Sequence, residues 1–283
     1  MNNNTLKDLF NKVFYSGNPM FLYIGINVIL FVLTAIGSLA FKNVDLLAYV
    51  GIPSSITLLP NRFYSIVTYM FFNVEFLNFL FNMLWLFWFG SIFMNFLKTK
   101  QFHFVYLGGG LIAALFYIVT NAILPTLGLA TSGGYLIGSA SVVLAIVVAS
   151  ATLVPNYAIK MIIFGEIKIM YIALVFVALD VIALIKIDLA SVVAHLAAAL
   201  FGFIFIKQLQ SGNDWSKLFD KKPTLKVVKN TNPVKNTSNP IKKSPMGSVP
   251  QVEIDAILDK ISSSGYDQLS ALEKEKLFKA SNN

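Results

Sequence analysis

Two segments of the sequence carry residue types that can exchange a proton within apolar surroundings. His195 lies in the middle of the uncharged run Leu189–Ile206, and a second uncharged run contains Gly138-Ser139-Ala140-Ser141. An imidazole can accept a proton and a serine hydroxyl can donate one. Ionisable side chains at bilayer depth are costly, so each is by default a functional-site hypothesis. The alternative is that His195 makes a structural hydrogen bond between helices.

The composition around these residues is typical of a membrane protein. Of the 283 residues, 56% are apolar and 13% are charged, unlike a soluble globular domain. Several stretches reach the roughly 17–25 apolar residues that a helix needs to cross a bilayer. We therefore predict an all-α, polytopic fold with a six-helix membrane domain over residues 20–210. The predicted spans are Met20–Phe41, Leu77–Leu97, Phe104–Ile123, Leu136–Val154, Ile169–Ile185 and Leu189–Ile206.

The composition also limits the chemistry and the partners. The chain has no cysteine, which excludes disulfides and thiolate nucleophiles, and its two histidines are far apart. We therefore expect no metal site and no cofactor. The net charge is +8, and residues 214–250 contain eight Lys and two Asp. Beside a membrane, such a basic segment indicates attraction to anionic lipid, about 1 kcal/mol per Lys near the surface, rather than binding to nucleic acid.

The lysines between the spans predict how the chain is oriented. They are concentrated in the N-terminal segment 1–19, in the loops after the second and fourth spans, and in the tail. Because Lys and Arg are enriched on the cytoplasmic side, both termini are predicted to be cytoplasmic. Asn78 and Asn82, Gly138–Ser141 and His195 then all fall in the outer halves of their spans, and Asp180 lies near the end of the fifth.

The segments outside the spans differ in character. The loop 42–73 is rich in aromatic residues, which favours an amphipathic element in the membrane interface. Residues 211–250 form a basic linker that is too poor in apolar residues to fold alone. Residues 251–283 are predicted to form a small helical module. Its signals are a helical apolar face, a stop at Gly265 and a capping box at Ser270-x-x-Glu273.

Five segments in order resemble the rhomboid family of intramembrane serine proteases, over residues 60–215. They are Thr68-Tyr-Met-Phe71, Leu80-Phe-Asn-Met-Leu-Trp85, Tyr106-Leu-Gly-Gly-Gly110, Gly138-Ser-Ala-Ser-Val142 and Ala194-His-Leu-Ala-Ala-Ala-Leu-Phe-Gly202. The resemblance implies a six-helix core, a Ser–His dyad, an oxyanion hole and substrates that are transmembrane helices. The tail after Gln251 resembles a small domain found on some bacterial rhomboids, particularly in Bacteroidetes. A bacterial inner membrane is therefore expected.

Carried over residue by residue, the resemblance assigns His195 as the general base. At the position of the nucleophile it finds a residue other than serine. The family pattern Gly-x-Ser begins at Gly138 and places Ala140 where the reactive serine should be. The family's small residue, five positions after the nucleophile, is Ala145 when counted from Ala140. Counted from Ser141 it would be Ile146. A one-residue shift turns a helical side chain by about 100°, so Ser139 or Ser141 would not simply inherit the role.

The resemblance is also incomplete at the oxyanion site. The family's His-x-x-x-Asn reads Asn78-Phe-Leu-Phe-Asn82, so Asn82 is retained as a donor and Asn78 replaces the histidine. Asn73 stands at another position where the family usually has histidine. Substitutions relative to the family pattern at the nucleophile, at one oxyanion donor and in the loop together favour a homologue that has lost its protease activity.

Three hypotheses follow for function. The first is a catalytically impaired homologue that binds transmembrane helices of client proteins. In it, His195 is either a remnant without a catalytic role or a structural hydrogen-bond partner. The second is an active, atypical protease in which Ser141, or less favourably Ser139, is the nucleophile and His195 the base. The third is a transporter, for which the sequence shows neither a broken-helix repeat nor an intramembrane charge pair.

Overall fold

The computed structural model describes residues 7, 11–40, 45–129, 134–161, 165–185, 188–219 and 251–281. The chain divides into two compact units, residues 1–222 and residues 223–283. Each unit has its own helices. Most of the predicted basic linker, residues 220–250, lies outside the described residues. The expected contacts of these residues with lipid therefore stay a prediction.

The first unit is a bundle of six apolar helices, one for each predicted span. The helices are α1 (Pro19–Ala40), α4 (Phe76–Phe96), α5 (Thr99–Ile123), α6 (Ala140–Leu153), α7 (Ile169–Leu184) and α8 (Leu189–Gln210). Among the described residues, α1, α4, α5 with its 3-10 extension, and α8 are long and apolar enough to cross a membrane. Helices α6 and α7 are apolar but shorter, with 14 and 16 residues. The prediction of a helical membrane bundle is confirmed.

Short strand pairs interrupt this all-helical pattern, and the sequence did not predict them. Strand β1 (Ile52–Pro53) pairs antiparallel with β2 (Tyr135–Leu136), and β3 (Ala158–Met161) pairs with β4 (Gly165–Lys168). Leu136 was predicted to begin the fourth span, but it lies in β2 and the helix begins at Ala140. The chain turns between them at Gly138, whose φ of +125° few side chains tolerate.

Helices α5, α6 and α8 form the centre of the bundle, where small residues let their backbones approach. A Cβ atom at Gly202 of α8 would overlap the carbonyl oxygen of Ala145 in α6. A Cβ at Gly109 of α5 would lie 2.7 Å from the Cβ of the same Ala145. Such contacts are expected where helices associate through packing rather than the hydrophobic effect. Ala145 is therefore the point at which three helices meet.

Alternate helices run in opposite directions, which gives the bundle two distinct ends. Helices α4, α6 and α8 begin at one end, here called the site end, where α1, α5 and α7 finish. At the other, distal end, Tyr23 near the start of α1 bonds His103 near the start of α5 at 2.8 Å. The ring of Phe104 near the start of α5 contacts that of Phe205 near the end of α8. The polar residues Asn78, Ser139, Ser141 and His195 all lie towards the site end.

The segment between α1 and α4 divides into a surface part and a buried part. It contains two short helices, α2 (Leu46–Val50) and α3 (Ser65–Thr68). The sequence interpretation treated its aromatic residues as one interfacial element. The structure separates them, since Phe63 is 71% exposed whereas Tyr69 is fully buried. Tyr69 thereby reaches the interior beside the start of α6.

The second unit is a helical hairpin, α9 (Gln251–Ser264) and α10 (Ala271–Ser281). Ile257 and Leu269 are buried in it. The amide of Ser270 donates to the carboxylate of Glu273 at 2.8 Å, and the Glu273 amide donates back to the Ser270 hydroxyl at 3.4 Å. These bonds form the predicted capping box. Lys260 of α9 also contacts Glu273 at 2.8 Å, which joins the two helices.

Candidate functional site

A buried polar contact at the site end joins His195 to Asp180. His195 lies two turns into α8, and Asp180 lies in the last turns of α7. The Nδ1 atom of His195 is 2.8 Å from Oδ2 of Asp180, and the two side chains are 9% and 14% exposed. When Nδ1 carries a proton it donates to the carboxylate, which leaves Nε2 as a proton acceptor. The structure thus places two ionisable side chains in contact within the membrane region, a contact that the sequence analysis did not identify.

Ser141, the first serine after the vacated position, bonds a tyrosine. Its Oγ atom is 3.2 Å from the hydroxyl of Tyr69, which donates to the carbonyl of Gly110 in α5 at 2.8 Å. Ser141 and Tyr69 are both fully buried. Because the tyrosine proton goes to Gly110, the Ser141 hydroxyl is the donor to the tyrosine oxygen. That geometry turns the Ser141 proton towards α5 and Tyr69.

Ser139, the serine on the other side of Ala140, directly precedes α6 and bonds an asparagine. Its amide and its hydroxyl both donate to Oδ1 of Asn73, at 3.2 and 3.1 Å. The Nδ2 atom of Asn73 donates to Asn27 of α1 at 3.1 Å, and Asn27 donates to the hydroxyl of Tyr106 at 3.3 Å. All of these polar side chains are buried. The network satisfies their hydrogen bonds and ties α1 and α5 to the start of α6.

Ala140 and Gly138 define the backbone at the vacated position. Ala140 is the first residue of α6, and it is half-buried. The amide of Gly138 donates to the carbonyl of Tyr69 at 3.0 Å. Its left-handed φ allows the chain to leave β2 and enter the helix within three residues. The backbone turn that leads into Ala140 therefore depends on Gly138 and not on the side chain at position 140.

The two asparagines at the oxyanion positions bond one another. Nδ2 of Asn82 donates to Oδ1 of Asn78, one turn earlier on α4, at 3.0 Å. Asn82 is buried and Asn78 is exposed. One of the two Asn82 N–H groups is therefore used within its own helix, and the second stays available as a donor.

The predicted site residues thus form separate hydrogen-bonded pairs and not one connected site. Among the described residues, no hydrogen bond joins His195 to either serine or to the two asparagines of α4. Chemically, the arrangement has an oriented imidazole and an amide donor, while the hydroxyl groups of Ser139 and Ser141 bond other residues. No group of three or more His, Asp and Glu side chains that could hold a metal ion occurs in the described part of the chain.

Sequence reasoning missed three residues that decide this arrangement. Asp180 was noted only as a charge within the fifth span, and Tyr69 and Asn27 were not assigned to the site. A signal existed for Asp180, since an intramembrane carboxylate requires a partner and His195 was the other ionisable residue at that depth. Tyr69 lies in the segment Thr68-Tyr-Met-Phe71 that carries part of the family resemblance, but nothing in the sequence indicated that its hydroxyl would bond Ser141.

Comparison with known families gives two matches along the chain. Residues 60–210 match the Rhomboid domain family, and residues 249–283 match a family of unknown function, DUF6576. No protein of curated function matches the chain. The Rhomboid match covers more than half of the 283 residues and includes Tyr69, Asn82, Ala140, Asp180 and His195, whereas Asn27 lies before its first residue. The chain is a member of the rhomboid family of membrane proteins.

Proposed function

We propose that this chain is a catalytically impaired rhomboid of a bacterial inner membrane that binds transmembrane helices of client proteins. One observation carries the proposal. The hydroxyl groups on both sides of Ala140 are buried in bonds to Tyr69 and to Asn73, and the ring of His195 is bonded to Asp180. Within the described part of the chain, neither of these hydroxyl groups bonds the base.

The size of the catalytic loss favours this function. In a serine protease, loss of the nucleophile lowers turnover by roughly a factor of a million. The Ala140 methyl cannot be activated by a base, and Asn82 alone supplies only an oxyanion donor. What remains is a membrane scaffold that can bind a helix.

Helix α7 is the element best suited to meet a client. Its buried residues are Ile169 and Ala173, both near its start. Closer to the site end, the ring of Phe176 lies 4.6 Å from that of Trp85 in α4, and Asp180 bonds His195. A client helix beside α7 would pack on its exposed apolar side chains and meet the polar pair, as membrane helices do when they associate.

The alternative function is an active endopeptidase that uses Ser141 and His195. The observation in its favour is Asp180, because a carboxylate on Nδ1 orients an imidazole for base catalysis. This alternative requires Ser141 to leave Tyr69 and turn towards α8. The Asp180–His195 pair also suits a transporter, but α7 and α8 are unbroken helices around it.

A serine-directed fluorophosphonate probe separates the first two functions. We expect no labelling of the wild-type protein, and labelling of the double variant Ala140→Ser with Asn78→His. Adding His195→Ala to that variant is the matched control and should abolish the signal. Wild-type labelling that disappears in both Ser141→Ala and His195→Ala would show that the chain is an active protease.

Client binding requires its own experiment. A photo-crosslinking residue at Leu179, which is 60% exposed on α7, should give adducts with other membrane proteins in intact membranes. The matched control is Leu115, which is 52% exposed on α5. Equal adducts at both positions, or none at Leu179, would remove α7 as the client surface.

Two further parts of the proposal concern topology and lipid. The lysine pattern supports cytoplasmic termini and a basic linker beside anionic lipid. The chain has no cysteine, so single cysteines report accessibility without interference. An impermeant maleimide added to cells should label Ser55→Cys at the site end and leave Ser211→Cys at the distal end unlabelled. The reverse pattern would invert the topology.

A further inference from the structure

A cavity of about 420 Å³ lies between α6, α7 and α8 near the distal end of the bundle. Its walls are mostly apolar, and they include Val148, Ala151, Met170, Leu174 and Phe203. The volume falls within the roughly 300–1,000 Å³ of small-molecule sites. Leu174 is 62% exposed, so the cavity opens towards the surroundings of the bundle. It shares no residue with the polar pairs at the site end.

The cavity carries one charged side chain, Lys207, in the last turn of α8. Its Nζ atom lies 5.8 Å from the ring centre of Phe203, another residue of the wall. Within the described part of the chain, Lys207 has no acidic partner. The hydroxyl of Thr152, a second polar group of the wall, donates to the carbonyl of Val148 in its own helix. The cavity therefore combines an apolar slot with an uncompensated cation.

We propose that this cavity binds an anionic phospholipid, with an acyl chain between the three helices and the phosphate at Lys207. The charge selects the ligand, because an exposed lysine at a membrane surface attracts an anionic headgroup. A slot with apolar walls suits a hydrocarbon chain, which needs no hydrogen-bond partners.

The position and the charge of the cavity argue against a client helix as the occupant. On α7 its wall extends from Met170 to Val177, whereas the proposed client surface lies nearer the site end, around Leu179 and Asp180. An apolar client helix would also offer no anion to Lys207. The lipid site is thus independent of the proposed client surface and does not depend on whether the chain is a protease.

Native mass spectrometry of the full-length protein in detergent tests the proposal. The probes are phosphatidylglycerol and phosphatidylcholine with identical acyl chains, added in equal amounts. We expect a bound phosphatidylglycerol that is retained in preference to phosphatidylcholine. Lys207→Gln should reduce that preference about fivefold, since one lysine contributes about 1 kcal/mol.

Two further variants separate this site from general surface charge. Lys160→Gln is the matched control, because Lys160 is 84% exposed on β3 and pairs with Glu166 instead of lining the cavity. It should leave the preference unchanged. Val177→Phe adds bulk to the wall and should release both lipids, with the protein still folded by its thermal transition.

The proposal is overturned by three results. The first is a phosphatidylglycerol preference that survives Lys207→Gln, and the second is one that falls equally in Lys160→Gln. The third is a bound polypeptide in place of the lipid. Should Val177→Phe fail to fold, the comparison of the two lysine variants still decides the question.

Discussion

Asp180 of α7 holds Nδ1 of His195 in α8 at 2.8 Å. This bond joins the least buried helix of the bundle to one at its centre. Near its start α7 is held by the buried Ile169 and Ala173, whereas near the site end it is held by this bond and by the contact of Phe176 with Trp85. The histidine that a rhomboid would use as a base thus also ties α7 to α8.

The pair predicts a specific pattern of stability changes. Asp180→Leu leaves the imidazole without its partner, and His195→Leu leaves a carboxylate unpaired in apolar surroundings. Each should lower the free energy of unfolding by about 1–3 kcal/mol, the cost of an unsatisfied buried polar group. The double variant should lose less than the sum of the two, because neither group remains unpaired. Unfolding in bicelles measures all three.

The neighbouring residue Leu179 supplies the control for this cycle. It is 60% exposed on the same turn of α7, so Leu179→Ala should change the free energy of unfolding by a few tenths of a kcal/mol. Additive losses in the double variant would show that the two side chains do not interact in the membrane.

The bond between Tyr69 and Ser141 gives a second prediction. Tyr69→Phe removes the donor to Gly110 and the acceptor for Ser141, and should cost about 1–2 kcal/mol of stability. It should not cause labelling by the fluorophosphonate probe, since no base faces the freed serine. Tyr106→Phe is the control, because it removes another fully buried hydroxyl that does not touch Ser141. Labelling of the Tyr69→Phe variant, with none of the Tyr106→Phe variant, would favour the active protease.

The sequence predicted the helices well because their signal is local. Each span is a long run of apolar residues, and apolar length alone decides whether a helix can cross a membrane. The error at the fourth span has a physical cause. Leu136 continues the apolar run, but Gly138 adopts a positive φ and the strand pair with Ile52 forms instead.

The site was less predictable because its contacts link distant positions. Ala140 could be identified from the motif, since a missing hydroxyl is visible in the sequence. The directions of Ser139 and Ser141 depend on Asn73 and Tyr69, which are 66 and 72 residues away. The shared depth of Asp180 and His195 suggested them as partners, but apolar runs do not determine how each helix is rotated about its axis, so the sequence could not show that the two side chains face each other.

The helix crossing at Ala145 gives a third prediction, in two parts. Gly109→Ala places its methyl against the Ala145 methyl, so it should cost about 1–3 kcal/mol and be rescued by Ala145→Gly. Gly202→Ala meets the Ala145 backbone, so the same second substitution should not rescue it. Thermal unfolding of the four variants checks this. Equal rescue of both would contradict a backbone contact between α6 and α8.

The C-terminal hairpin gives a prediction about pH. The hydrogen bond from Lys260, followed by those from Ser270, lowers the pKa of Glu273 to about 2, against about 4.3 in an unfolded chain. A lowered pKa means that this carboxylate stabilises the hairpin above pH 4.3 and that the contribution is lost as the pH falls towards 2. Amide NMR signals of α10 should report this loss. Glu273→Gln should abolish the step and Glu275→Gln should retain it, whereas a step that persists in Glu273→Gln would assign it to another group.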